Sequence, residues 1–237
     1  MDAPHSRSAL STPRAVPLTR AFAWFETAMR IFKQAPLRWC VLGSITLGSE
    51  LLLDRVPGIG VAAAMVIVPV VECGMLLGAA AVDRGAPLQI RYATAAFKAP
   101  VPALAAIVLS ALLVSSVESL VAYALIGVNF LVDPPDDPRI TLLALLEIAG
   151  VTMLASLPFV FVPLSALLEH AGFRRAFATS ARAFSLNFAP LLLFGLLSLG
   201  LLLVGFLTYG VALVAVFPLV AAASYAAWRD IYGPTAP

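Results

Sequence analysis

The feature that most constrains the fold is a stretch of about 41 residues, Phe188 to Trp228, without a charged side chain. One helix needs roughly 20 apolar residues to cross a hydrocarbon core of about 30 Å. The stretch therefore predicts two membrane-spanning helices with a turn near Thr208-Tyr209-Gly210. The chain as a whole is 61% hydrophobic and 12% charged, far from the roughly 45–50% apolar and 25% charged residues of soluble domains.

Four further apolar runs bring the predicted number of spans to six. The first is about 17 residues long, which is at the short limit for crossing a bilayer. The sequence thus predicts an all-α integral membrane protein with one six-helix transmembrane domain over residues 19–237. It follows a tail, residues 1–18, whose Pro, Ser and Arg content predicts disorder. The predicted spans are residues 37–53, 59–82, 102–132, 140–168, 188–207 and 210–228.

The basic residues are divided unequally between the two sides of the predicted membrane domain. With the N-terminus in the cytoplasm, 13 of the 15 Lys and Arg residues lie inside, and only Arg55 and Arg139 lie outside. Cytoplasmic loops carry such an excess, so we expect both termini in the cytoplasm. The N-terminal segment has no apolar run typical of a signal peptide, and we expect a bacterial inner-membrane protein. The net charge of +2 gives no indication of nucleic-acid binding.

Two segments outside the spans are basic and amphipathic. A helix over residues 19–34 would place Trp24 and three Phe residues opposite Arg30 and Lys33, and residues 172–186 repeat this pattern. A third, shorter surface helix is predicted over residues 87–98. Such helices lie in the headgroup plane, so the predicted partners are the lipid bilayer and anionic headgroups at the cytoplasmic face. The candidate membrane-surface basic residues are Arg30, Lys33, Arg174, Arg175 and Arg182.

Four glutamates within the predicted spans form the candidate intramembrane polar site. An ionised carboxylate near the bilayer centre costs on the order of 3 kcal/mol, and the spans contain no basic partner. The group could be a proton- or cation-binding cavity, or isolated neutral carboxyls bonded to the backbone or to nearby serines, Ser115, Ser116 and Ser119. One shared, water-accessible cavity would favour the first interpretation. The four residues are Glu72 and Glu118, which are deepest, and Glu147 and Glu50.

Motifs for catalysis, cofactor binding or metal binding are missing from the sequence. Cys40 and Cys73 lie 33 residues apart without nearby ligands, and the adjacent side chains of Glu169 and His170 would point apart on a helix. We therefore predict no enzymatic activity, no cofactor and no metal site. The favoured interpretation is a non-enzymatic scaffold or accessory protein in envelope or lipid processes. The alternative is a small transporter or channel that uses the buried glutamates.

The two ends of the chain resemble each other. In each, an Arg, a Phe and a Pro precede a helical hairpin whose second helix contains a proline and ends at an aspartate. This pattern indicates a weak parallel internal repeat, which occurs in transporters and equally as a relic of duplication in structural proteins. The matching residues are Arg30, Phe32, Pro36, Pro69 and Asp83 in one half and Arg182, Phe184, Pro190, Pro218 and Asp230 in the other.

Several turn and interface motifs carry a family resemblance over most of residues 24–232. They include Phe32-Lys33-Gln34-Ala35-Pro36-Leu37, Pro57-Gly58-Ile59-Gly60, Asp83-Arg84-Gly85 and Arg229-Asp230-Ile231. In these the chain resembles the YciC-like bacterial inner-membrane proteins and their larger relatives, which include the membrane domain of some glycerophosphodiester phosphodiesterases. The resemblance implies a fold and a location but no catalytic residue.

Overall fold

The computed structural model describes residues 12–56, 59–130, 133 and 137–233, and within these the structure is helical without a strand. The 3-10 segments Ile90–Lys98 and Leu157–Phe159 join the α-helices at two places. The α-helices are α1 (Arg20–Lys33), α2 (Pro36–Asp54), α3 (Gly60–Asp83), α4 (Val101–Ile126), α5 (Leu142–Ser156), α6 (Val162–Leu168), α7 (Phe173–Leu186), α8 (Phe188–Leu207) and α9 (Leu213–Tyr232).

Five helical segments of the described chain are long and apolar enough to cross a membrane. They are α3, α4, the combined segment Leu142–Leu168, α8 and α9. The chain is therefore a multi-pass α-helical membrane protein. The remaining predicted span corresponds to α2, which is 19 residues long and does not belong to this group. Arg38, Glu50 and Asp54 lower its apolarity, so the sixth span stays a prediction.

The five spans form a closed ring. Going around it, α3 packs against α4, α4 against α5, α5 against α8, α8 against α9, and α9 against α3. Helix α2 lies along both α3 and α9. The connections place α1, residues 90–98 and α7 at one end of the bundle, here called the basic end. The opposite end, here called the loop end, carries residues 55–56, 59, 127–130, 133, 137–141 and 208–212.

The largest hydrophobic core lies at the basic end. It contains all three tryptophans of the chain, each with at most 2% of its surface exposed: Trp24, Trp39 and Trp228. They come from α1, α2 and α9, so this core joins a surface helix to two helices of the bundle. Large aromatic side chains bury the most apolar area per residue, so these three contribute strongly to the packing of this end.

The helix predicted over residues 19–34 is confirmed as α1, but its aromatic face is divided. Trp24 faces α9 and donates a hydrogen bond from Nε1 to the Asp230 carboxylate at 2.9 Å. Phe22 and Met29 are 52% and 40% exposed. The expectation that the Trp and Phe side chains share one membrane-facing surface is therefore wrong for Trp24, because the bundle offers it both apolar contact and a hydrogen-bond acceptor.

The predicted disordered tail, residues 1–18, needs a correction in its last part. The backbone N–H of Arg14 donates to the Ile231 carbonyl at 2.9 Å, and that of Val16 donates to Asn187 Oδ1 at 2.8 Å. The amide of Asn187 also donates to the Arg14 carbonyl at 3.0 Å. This extended segment is thus held by the end of α9 and the junction of α7 and α8. Residues 1–11 lie outside the described part of the chain.

Two span boundaries also differ from the prediction. Helix α4 ends at Ile126, before the predicted residue 132, because Gly127 adopts the left-handed conformation that ends helices, with φ 66°. Helix α9 continues past the predicted residue 228 to Tyr232, since Arg229 and Asp230 both find charged partners. The turn predicted near Tyr209 and Gly210 is confirmed, with φ of 53° and 86° at these residues.

The surface helix predicted over residues 87–98 is a 3-10 helix over Ile90–Lys98. Its backbone at Tyr92 lies so close to Gly74 of α3 that an added Cβ at Gly74 would overlap it. The internal repeat stays a prediction. In both halves a surface helix precedes a pair of helices: α1 precedes α2 and α3, and α7 precedes α8 and α9. The last helix of each set contains a proline, Pro69 in α3 and Pro218 in α9.

Helices α2 and α9 approach closely at Gly43, where an added Cβ would overlap the carbonyl oxygen of Val214. We expect Gly43→Ala to destabilise the protein by about 1–3 kcal/mol, because the backbones must separate to admit the methyl group. The matched control is Gly48→Ala in the same helix, where an added Cβ meets nothing within 4 Å. Thermal unfolding in detergent should show a lower midpoint for the first variant only. Equal midpoints would contradict this packing.

Candidate functional site

A cavity of about 820 Å³ lies within the ring of spans, and its wall also includes the last part of α2. Carboxyl side chains from three helices and one loop line it. Neither Lys, Arg nor His occurs among the lining residues that the structure describes. A cleft with one sign of charge and low-dielectric walls focuses its field on an incoming counter-ion. The lining carboxyl residues are Glu50, Asp54, Glu72, Glu118 and Asp133.

Three of the four predicted glutamates meet at this cavity. Glu50 is on α2, Glu72 on α3 and Glu118 on α4, and Glu50 is within electrostatic range of the other two. The ion pairs between described residues involve none of them. Glu147 on α5 is different: it is exposed, like Glu50, but does not line the cavity. The structure thus brings together Glu50, Glu72 and Glu118 and leaves Glu147 apart.

Hydroxyl groups supply the other polar atoms of the wall. Four of them, on Ser110, Ser156, Ser198 and Ser224, donate to carbonyls of their own helices, which leaves their oxygen lone pairs free to accept. The hydroxyl oxygen of Thr152 is buried and has no hydrogen-bond partner in the described structure. A buried polar atom without a partner costs about 1–3 kcal/mol, so this side of the cavity is suited to a ligand or water that donates a hydrogen bond.

The sequence left open that nearby serines hydrogen-bond to Glu118, but the described structure shows no such bond. Ser116 instead donates to the Leu112 carbonyl at 2.6 Å. Ser115 and Ser119 line the same cavity as the glutamate. The arrangement is therefore a polar face of α4 turned toward a common space, rather than an isolated carboxyl in a packed interior.

A proline interrupts the hydrogen bonding of α3 beside the cavity. Pro69 has no N–H, so the carbonyl of Met65 loses its usual helical donor. Both residues line the cavity. A freed carbonyl oxygen is tolerated at membrane depth where it faces a cavity or other protein groups. Pro163 also lines the cavity, but it lies in the first turn of α6, where a backbone N–H has no helical acceptor.

Ser180 of α7 stabilises the break between α5 and α6. Its hydroxyl donates to the Pro158 carbonyl at 2.7 Å and accepts from the Phe161 N–H at 3.3 Å. The side chain is fully buried. Sequence reasoning missed this role of Ser180. The sequence signal for this contact is a span that contains prolines, followed by an amphipathic helix with a small polar residue.

The cavity reaches the loop end, where Asp54 is exposed and Asp133 accepts a hydrogen bond from the Asn129 N–H at 2.7 Å. Arg139 organises the loop beside it by donating to the Gly127 carbonyl and the Asp137 carboxylate. Its guanidinium lowers the pKa of Asp137 to about 2, so this pair stays ionised at neutral pH. Arg139 Nη2 also lies 3.5 Å from Asp133 Oδ2, so this lining carboxylate has a basic partner in the loop.

The opposite end of the cavity is closed by the tryptophan-containing core and by an ion-pair cluster at the basic end. Asp83 at the end of α3 pairs with Arg229 of α9, lies 3.5 Å from Arg30 Nη2 and accepts a hydrogen bond from Tyr225. The next residue, Asp230, pairs with the guanidinium of Arg20 at 2.6 Å. These contacts tie α1, α3 and α9 together below the cavity.

The predicted membrane-surface residues are exposed and separate from the cavity. Arg30 and Lys33 project from α1, and the three arginines of α7 project from its outer side. Cys40 and Cys73 are both free thiols, and Cys73 belongs to the cavity wall. Within the described residues, no three His, Cys, Asp or Glu side chains gather closely enough to hold a metal ion.

Comparisons with known proteins add nothing to this geometry. No protein-family model, curated protein or solved structure matches the chain. The YciC-like resemblance therefore stays a prediction. The cavity and its carboxyl groups are the observations from which a function can be proposed.

The first test concerns the charge preference of the cavity. In a chain with Cys40→Ala and Cys73→Ala, we expect Ser119→Cys to react with a trimethylammonium methanethiosulfonate about tenfold faster than with the sulfonate analogue, because a one-sign cleft concentrates counter-ions. Adding Glu118→Gln should reduce this ratio.

The matched control is Tyr209→Cys in the same background, at a turn residue that is 99% exposed and outside the cavity. It should react readily with both reagents. If Ser119→Cys is unreactive, the cavity is not water-accessible. If it reacts equally with both reagents, the cavity does not favour cations.

Proposed function

We propose that the protein is a small membrane transporter that binds a cation in the carboxylate-lined cavity. One observation carries this proposal: Glu50, Glu72 and Glu118 share one cavity, and the described residues that line it include no basic side chain. Ionisable residues inside a membrane domain are costly, and they mark ion or substrate pathways when they face a water-filled cavity. The sequence favoured a scaffold, and the shared cavity favours the alternative.

A carrier fits this geometry better than an open channel. The cavity reaches the loop end, whereas the packed core around Trp39 and Trp228 occupies the basic end. A ligand bound beside Glu72 would therefore leave toward the loop end unless the bundle changes shape. Pro69 in α3 and the break between α5 and α6 are places where a helix can bend. Such discontinuous helices surround the central sites of many transporters.

The proposal includes a location in the bacterial inner membrane, as for the YciC-like proteins that the chain resembles. With α2 as a sixth span, both termini lie in the cytoplasm, as the distribution of basic residues predicts. Anionic headgroups of that leaflet would then contact the basic end. Exposed Arg182 on α7, together with Lys33 beside Phe22 and Met29 on α1, supports this orientation.

The transport proposal predicts that two carboxyl groups are essential for flux and dispensable for folding. Glu72→Gln and Glu118→Gln should abolish cation-dependent currents in proteoliposomes on a supported membrane, because Gln keeps the shape but cannot carry the charge. The currents would follow rapid steps in Na⁺, K⁺, tetramethylammonium and proton concentration. Glu147→Gln is the matched control, since this residue is exposed outside the cavity, and should keep the current.

Thermal unfolding of the three variants separates function from folding, and all should melt close to the wild type. If the wild type gives no current with any of these cations, and the variants melt like it, the scaffold interpretation replaces the transporter. Current that survives both cavity substitutions would also contradict the assignment.

The orientation is tested separately by labelling from outside intact bacteria. In the cysteine-free background, a membrane-impermeant maleimide should label Tyr209→Cys at the loop end and not Arg182→Cys at the basic end. Both positions are exposed in the structure, so lysis should make them equally reactive. Labelling of Arg182→Cys in intact cells would reverse the orientation.

A further inference from the structure

We infer that the cavity binds an organic cation with substantial apolar surface, rather than a proton or an inorganic ion. This inference rests on the proposed function and specifies its ligand class. It draws on the size of the cavity, the chemistry of its wall, and the placement of its carboxyl groups and acceptors.

The size of the cavity exceeds what an inorganic ion needs. Its volume is about 820 Å³, whereas a water molecule occupies about 30 Å³ in the liquid. Pockets of roughly 300–1,000 Å³ are those that bind drug-sized organic ligands. A single metal ion would leave most of this space to bulk water, which would screen the carboxylates and weaken the electrostatic attraction.

The wall provides apolar contact between its charged groups. Aromatic rings line it at Phe130, Phe159 and Phe217, and aliphatic side chains at Val68 and Leu202. The face of an aromatic ring attracts a cation and favours quaternary ammonium groups in particular. Apolar parts of a ligand would gain by burial against the aliphatic residues. A hydrated inorganic ion would gain nothing from such a surface.

The carboxyl groups are distributed around the cavity and do not converge on a point. Glu50, Glu72 and Glu118 belong to three different helices. Divalent cations bind where six to eight oxygens surround the ion at about 2.3–2.6 Å, or six at shorter distances. Separated carboxylates instead suit a larger cation, whose charge can be balanced from several sides at longer distances.

The remaining polar atoms fit a ligand that donates hydrogen bonds. The buried Thr152 hydroxyl has no partner in the described structure, and the carbonyl of Met65 lacks its helical donor because Pro69 has no N–H. An ammonium or amine N–H could donate to either oxygen. The expected ligand therefore combines a cationic nitrogen or phosphorus centre with apolar substituents.

The test uses two probes of nearly the same shape and opposite charge, tetraphenylphosphonium and tetraphenylborate. Equilibrium dialysis with purified full-length protein in a neutral detergent should give saturable binding of the phosphonium only. Tetrabutylammonium should displace it, whereas Na⁺ and K⁺ at the same ionic strength should not. We expect Glu72→Gln and Glu118→Gln to weaken phosphonium binding at least tenfold and Phe217→Ala to weaken it several-fold. Glu147→Gln should bind like the wild type.

The outcomes distinguish the inference from the function on which it rests. Equal binding of the borate would show that apolar partitioning alone accounts for the signal and would overturn the inference. A site that binds Na⁺, K⁺ or protons but not the phosphonium would overturn the inference and leave cation transport intact. If no cation binds and none drives a current, both fail. Melting curves of the variants show whether a loss of binding reflects loss of the fold.

Discussion

Polar groups in a hydrocarbon environment must find a partner, and this constraint determines the organisation of the molecule. Backbone N–H and C=O groups find partners in each other, so the apolar stretches must become helices. Carboxyl side chains cannot do the same, because a helix offers them no free donor. Glu72 and Glu118 therefore turn toward the interior of the ring, where Glu50 joins them. The cavity is the space that these groups share.

Charged side chains at the basic end also have partners, but these partners are side chains of opposite charge. Arg229 and Asp230 are neighbours on α9, and each reaches a separate partner: Arg229 pairs with Asp83 of α3, and Asp230 with Arg20 of α1. Two adjacent residues thus connect α9 to α3 and to α1. Trp24 adds a hydrogen bond to the same carboxylate. This end is closed by complementary charges and aromatic packing, whereas Glu50, Glu72 and Glu118 in the cavity belong to none of the ion pairs between described residues.

Sequence reasoning located the helices well because long apolar runs can form little else at membrane depth. It could not place their rotations, since hydropathy is nearly uniform around α4 and α5. For that reason the sequence grouped Glu147 with Glu118 in one candidate polar site, although Glu147 is exposed outside the cavity that Glu118 lines. The order of residues 12–18 was missed for a related reason: their hydrogen-bond partners, Asn187 and Ile231, lie more than 170 residues away.

The contacts of small residues are a second case in which the sequence could not determine how a helix is rotated. Gly74 and Gly78 lie four residues apart on α3, a spacing of small residues that lets helices approach closely, and the structure places Tyr92 and Leu88 against them. Ser44 and Gly48 on α2 have the same spacing, yet Gly48 has no close neighbour, whereas Gly43 does. Which face of α2 meets α9 depends on the whole bundle, and a spacing rule cannot decide it.

The central claim is that Glu72 and Glu118 face water in one cavity, and chemical modification of these carboxyls tests it most directly. The protein in lipid vesicles would be treated with a water-soluble carbodiimide and a small amine, or with a membrane-soluble carbodiimide, and modified sites identified by mass spectrometry. The account predicts that the water-soluble reagent modifies both residues. Modification by the membrane-soluble reagent alone would place the carboxyls in lipid or in a dry interior and contradict the account.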